Sequence, residues 1–116
     1  MSHFRVDPGP TFVAQRIKQH IFSMSIREIV KEGRGTIIDV RTPEEFMGGS
    51  VKGAINVPLH QLPDRVEELK QMQKPLVLCC ASGNRSGRAQ QFLMTQGVQD
   101  AFNGGSWLEV NFHQNN

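Results

Sequence analysis

The chain has 116 residues, 38% hydrophobic and 21% charged, with a formal net charge of +2. That length suits one compact domain rather than two lobes around a cleft, and the composition is that of a chain that folds. The small positive balance argues against nucleic acid as a partner, and no apolar run approaches the roughly 18 to 20 residues of a membrane helix.

Residues 1–22 hold the charge excess: Arg5, Arg16 and Lys18 stand against Asp7, while the remainder balances ten bases with ten acids. Pro10 or Thr11 opens an expected amphipathic helix with Phe12, Val13, Ile17 and Ile21 along one side, so residues 1–22 read as an N-terminal arm and 23–116 as the domain. The first twenty residues interleave Arg16, Lys18 and His20 with apolar positions instead of building a signal-peptide core, and a cytoplasmic protein is expected.

Ser25-Ile26-Arg27-Glu28 has the S-x-x-E form of a capping box, and Gly33 and Gly35 stop the short helix it starts. Thr36 to Val40 is β-branched and nearly continuous in apolar character, as in a strand covered on both faces of a parallel sheet. Thr42 and Pro43, with Glu44 and Glu45 behind them, open another short helix. After Gly48-Gly49, Ala54 to Val57 is a brief strand ended by Pro58. Leu62, Val66, Leu69 and Met72 fall at helical spacing over 62–72, and Pro75 breaks the chain before a second apolar strand, Leu76 to Cys80. A helix is expected from Arg88 to Gln96, ended by Gly97, and His113 to Asn116 is expected to fray. Strands alternating with helices at this spacing indicate an α/β layer fold with a largely parallel sheet, in which ligands gather at the carboxyl ends of strands. Cys80 falls at such an end.

The two cysteines, Cys79 and Cys80, are adjacent, so a disulfide between them encloses almost no loop and stabilises little. The four histidines lack metal-ligand spacing, and no metal is expected. Alternation sends Cys79 to the opposite side of the strand as a packed core thiol. Cys80-Ala81-Ser82-Gly83-Asn84-Arg85-Ser86-Gly87-Arg88 joins strand to helix. Gly83 permits a positive φ there, and the following amides with the helix N-terminus form a nest for an anion above Cys80. The same field, with Arg85 and Arg88, favours the thiolate and reads Cys80 as a nucleophile.

Three separated segments then resemble the rhodanese family of single-domain sulfurtransferases. Asp39-Val40-Arg41-Thr42-Pro43-Glu44-Glu45-Phe46 resembles D-V-R-x-x-x-E-[FY]; Gly49 to Pro58 resembles G-H-I-x-G-A-x-N-[IV]-P, with Ser50 where the family has histidine; Cys80 to Ser86 resembles the C-x-S-G-x-R-S loop. Gly104-Gly105 and Trp107 match the family's ending, and the resemblance covers about residues 23–110. It implies a rhodanese-like three-layer fold, a parallel sheet flanked by helices. It also implies that Cys80 takes a sulfane sulfur from thiosulfate or a similar donor and passes it as a persulfide to a thiol, cyanide or protein acceptor. Mapped residue by residue, Ala81, Ser82, Gly83, Asn84 and Arg85 cradle the substrate, Arg85 binding the oxyanion, while Asp39, Arg41 and Ser86 support the site. Arg41 is expected to pair with Glu44 or Glu45, Trp107 to be core and His60 to be solvated. Cysteine phosphatases and arsenate reductases carry a longer H-C-x5-R loop, whereas four residues separate Cys80 from Arg85 and Cys79 stands in the histidine's place. The competing reading is a non-enzymatic rhodanese-like interaction module, weakened by the complete loop around a retained cysteine.

Overall fold

A computed structural model describes residues 24–116, so the expected helix of the N-terminal arm lies outside the described residues. Five α-helices, one 3₁₀ helix and four strands follow along it: α1 Ile26–Lys31, β1 Thr36–Asp39, α2 Pro43–Met47, β2 Ile55–Asn56, a 3₁₀ helix Leu59–Asp64, α3 Val66–Gln71, β3 Leu76–Cys80, α4 Asn84–Thr95, β4 Ala101–Ser106 and α5 Trp107–Asn115. The sheet runs in the order β2-β1-β3-β4, and every pairing is parallel.

β3 occupies the middle, and all five of its residues are buried. Its side chains alternate between two cores, as the two-residue period of a strand requires. Leu76, Leu78 and Cys80 join Ile38, Leu69 of α3 and Ala89 and Leu93 of α4 on one face. Val77 and Cys79 join Ile29 and Val30 of α1 and Val110 of α5 on the other. These are the three layers expected, with helices on both faces of a wholly parallel sheet. No described helix is long and apolar enough to cross a membrane.

The capping box expected at Ser25 forms, and the helix start read at Thr42 is a second one. Ser25 Oγ accepts from the Glu28 amide while the Glu28 carboxylate accepts from the Ser25 amide, and Thr42 and Glu45 repeat the exchange at α2. Elsewhere the boundaries differ. The single helix read over 62–72 divides into the 3₁₀ helix and α3 at Arg65, whose φ of −123° leaves the helical range. α4 begins at Asn84, ahead of the expected Arg88, because Gly83 at its N-cap adopts φ 97° and turns the chain straight into the helix. β4 was not expected as a strand. The tail expected to fray is helical to Asn115: Ser106 Oγ caps α5 at the Leu108 amide (3.1 Å), Val110 anchors it in the core, and Gln114 donates to the Lys52 carbonyl (2.9 Å).

Candidate active site

The strand order carries Cys80 to the carboxyl end of the central strand, and four residues later α4 begins. Between them the loop folds down on the thiol. Cys80 Sγ accepts from the Gly83 amide at 3.0 Å and the Ser86 amide at 3.4 Å, and lies 3.4 Å from Ser86 Oγ. Burial alone pushes the Cys80 thiol up. Hydrogen bonds from the Ser86 hydroxyl and from the Ser86, Ser82 and Gly83 amides outweigh it and bring the thiol below its ordinary value.

The loop's interior differs from an open nest above the sulfur. Cys80 exposes 0% of its surface, and the amides meant for an anion already point at Sγ itself. Ala81, Ser82 and Asn84 are exposed, Gly83 and Arg85 half-buried and Ser86 fully buried. The cover over the sulfur is thus a thin layer of short, exposed residues rather than a core.

Asp39 and Arg41 form a buried pair at the end of β1. Arg41 Nη2 donates to Asp39 Oδ2 at 2.7 Å and Nε donates to both carboxylate oxygens at 3.0 Å, while the Arg41 amide donates to Asp39 Oδ1. Arg41 Nη2 also reaches the Gly49 carbonyl (2.7 Å), and the guanidinium lies 4.7 Å from the centre of the Trp107 ring, a cation–π contact. Asn56 Nδ2 bridges the Asp39 and Arg41 carbonyls at 2.9 Å each. The expected pairing of Arg41 with Glu44 or Glu45 therefore does not form. An acid two residues away at the same strand end outcompetes those on the helix, and the pair ties β1 to the Gly49 turn instead of to the loop.

Glu45 goes to Arg85. Arg85 Nη1 and Nη2 donate to its two oxygens at 2.7 and 3.0 Å, a bidentate pair that, with the Thr42 amide, holds the Glu45 carboxyl down at about 2. Both terminal nitrogens of Arg85, expected to face an oxyanion, are engaged with this carboxylate, and the pair joins α2 to the start of α4. An open cleft of about 290 Å³ lies beside Arg85, walled by Val40, Pro58 and Leu59, with His60 and Thr42 on its rim. Trp107 is half-buried against the second core, and His60 is exposed.

Two features escaped the sequence reading. β4 carries a bulge: Leu78 pairs with Asn103 and Cys79 with Gly105, leaving Gly104 as the extra residue. From that bulge the Asn103 side chain reaches over the loop, accepting from Ser86 Oγ at 2.7 Å and donating to the Gly83 carbonyl at 3.1 Å. Asn before Gly-Gly is a turn and bulge signal, and that was the available clue.

The rhodanese-like domain model matches residues 25–109. The chain belongs to the rhodanese-like family. Among similar proteins, this rhodanese-like chain is 35% identical to an uncharacterised protein of Bacillus subtilis, YqhL, over 99 residues, covering 79% of this chain and 78% of that one. It is 32% identical over 74 residues to the thiosulfate sulfurtransferase PspE of Escherichia coli, covering 63% and 71% respectively. The solved human single-domain sulfurtransferase TSTD1 superposes with a TM-score of 0.59 at 30% identity, over 72% of this rhodanese-like chain and 89% of that one.

Proposed function

We propose that this rhodanese-like protein is a sulfurtransferase that carries a sulfane sulfur as a persulfide on Cys80. The observation that carries the reading is the pair of amides, Gly83 and Ser86, aimed at Cys80 Sγ at the end of β3. They stabilise a negative sulfur before any donor arrives, which is the preorganisation a thiolate nucleophile needs. The relationship to PspE and TSTD1 supports thiosulfate or a similar sulfane donor.

The Cys80 thiolate attacks the outer sulfur of thiosulfate. A new S–S bond forms, the donor's S–S bond breaks, and sulfite departs with the bonding electrons. A thiol, cyanide or a protein thiol then attacks the terminal sulfur, and Cys80 leaves as the thiolate. Because Sγ is covered in the closed loop, residues 81–85 must part to admit the donor and then close around the added sulfur. Ala81, Ser82, Gly83, Asn84 and Arg85 form that cradle, Ser86 lines its floor, and Asp39 with Arg41 steadies the strand end below. Neither metal nor organic cofactor enters either step. The cleft beside Arg85 is where the acceptor approaches, and the cytoplasm, with its reduced thiols, is the compartment this chemistry suits.

Intact-mass analysis before and after thiosulfate tests the reading. The wild type and Cys79→Ala should each gain one sulfur atom with release of sulfite, and Cys80→Ser none. A wild type that gains no sulfur from thiosulfate or another sulfane donor points instead to the interaction module. Loss of loading in Cys79→Ala with retention in Cys80→Ser would place the nucleophile at the wrong residue.

A further inference from the structure

We propose that Asn103 is a positioning residue for Cys80: from the bulge of β4 it claims the Ser86 hydroxyl proton and so decides whether that hydroxyl offers the sulfur a lone pair or a proton. This deepens the sulfurtransferase reading and rests on it for the role of Cys80.

The orientation of the Asn103 amide is fixed by the backbone on both sides. Its Oδ1 accepts from the Gly105 amide at 2.9 Å, and its Nδ2 donates to the Gly83 carbonyl at 3.1 Å. Turned over, the amide would set donor against donor at Gly105 and acceptor against acceptor at Gly83. Oδ1 is therefore the atom 2.7 Å from Ser86 Oγ, and Ser86 must be the donor in that bond. Gly87 leaves room for the arrangement, since a Cβ there would lie 3.3 Å from Asn103 Nδ2.

The Ser86 hydroxyl has one hydrogen. While it points at Asn103, Oγ presents a lone pair to Cys80 Sγ 3.4 Å away, which matches a thiol that donates S–H. When Cys80 ionises, its proton leaves. The hydroxyl then turns to donate to the thiolate, and Asn103 Oδ1 keeps only the Gly105 amide. Ionisation thus costs one short neutral hydrogen bond at Asn103 and gains one to a charged sulfur. Asn103 holds the resting thiol in its closed circuit, and removing Asn103 frees the hydroxyl for the thiolate.

Charged groups surround this circuit on every side. Arg85 of α4 acts on Cys80 and is paired with Glu45 of α2; Asp39 and Arg41 of β1 are paired with each other; the Glu109 carboxylate of α5 lies against Gly105. None of them is altered in the variants below, so their fields are common to every arm of the comparison.

Thiolate absorbance in the ultraviolet, followed against pH on the full chain, reads the sulfur directly, because the chain has no tyrosine to titrate in the same region. Every variant carries Cys79→Ala, leaving Cys80 as the sole thiol. Asn103→Ala should lower the midpoint by about 0.5 to 1 pH unit, the size expected for one competing hydrogen bond, and Ser86→Ala should raise it. In the Ser86→Ala background, Asn103→Ala should leave the midpoint where Ser86→Ala put it. Asn103→Leu, which keeps the side-chain volume without the acceptor, should repeat the result, and circular dichroism establishes that each variant is folded. An unchanged or raised midpoint in both Asn103 variants, or the same fall with and without the Ser86 hydroxyl, overturns the proposal. The readout needs neither donor nor acceptor. A Cys80 that titrates as described yet takes no sulfur defeats the sulfurtransferase reading alone, and one that takes sulfur without this coupling defeats the Asn103 proposal alone.

Discussion

Glu45 does two jobs with one carboxylate. It closes the capping box of α2 by accepting from the Thr42 amide (3.0 Å), and it grips Arg85 at the head of α4. The guanidinium and that amide hold it down at about 2 from an ordinary 4.5. A carboxylate whose value is lowered on folding stabilises the protein above its unfolded value and loses that contribution as the pH falls through the folded one. Its contribution is thus complete above about pH 4.5 and disappears toward about pH 2. With 37% of the Glu45 side chain exposed, water screens the pair and the effect is modest. Glutamine still completes a capping box, so Glu45→Gln removes the charge while sparing the helix start. The variant should melt below the wild type at neutral pH, with the gap closing as the pH is lowered through this window. Thermal unfolding followed by circular dichroism at several pH values measures it, and a gap independent of pH would refute the assignment. Cys80, Asp39 and Arg41 were recognisable from local motifs. Which arginine met which acid was not, because Glu45 and Arg85 are forty residues apart and only the packing of α2 against the loop brings them together.

At the scale of elements, β4 shows where the pattern of the sequence runs out. β3 announces itself through an unbroken apolar run buried on both faces, β1 through a shorter β-branched one, and the capped helices through Ser25 and Thr42. β4 puts Asn103, Gly104 and Gly105 where alternating apolar residues belong, so its residues read as an ending rather than a strand. The same three residues build the bulge that carries Asn103 over the loop, and a local rule was broken at a site-building position. The bulge depends on Gly104 having no side chain. A Cβ there would fall 2.7 Å from Val77 Cγ1 and 3.1 Å from both the Leu78 carbonyl oxygen and Val110 Cγ2. Val77 and Val110 are fully buried, so neither can step aside freely. Gly104→Ala should cost about 1 to 3 kcal/mol in urea unfolding, the usual cost of overpacking a filled core. It should also lower the pH midpoint of Cys80 ionisation, as removal of the Asn103 side chain does, because the displaced strand carries Asn103 away from Ser86. A variant as stable as the wild type would mean that β4 yields without strain.

Across the whole molecule, the sheet separates two chemistries held by neighbouring sulfurs. Cys80 faces the loop and the α3 and α4 layer, whereas Cys79 faces the α1 and α5 layer. That division was legible because a strand's period is two, and the layer order followed from apolar strands alternating with amphipathic helices. Depth was not legible: nothing in the residues of the loop foretold that it would cover Sγ completely. On its side Cys79 is fully buried, and desolvation first, then the nearby Asp39, pushes its thiol up to about 12 from an ordinary 9.0. An acid whose value rises on folding contributes stability that is whole below the unfolded value and is lost as the pH climbs toward the folded one. Between about pH 9 and pH 12 the unfolded chain releases this proton and the folded one keeps it, so Cys79 should draw stability down by at most about 1.4 kcal/mol per pH unit. Cys80, lowered on folding, acts with the opposite sign and only below 9.0, so the two limbs do not overlap. Cys79→Ala loses some packing at every pH, but its urea midpoint should decline less steeply than that of the wild type above about pH 9, narrowing the difference between them. Parallel curves would show that the thiol ionises within the folded protein, and that water reaches the layer under the sheet.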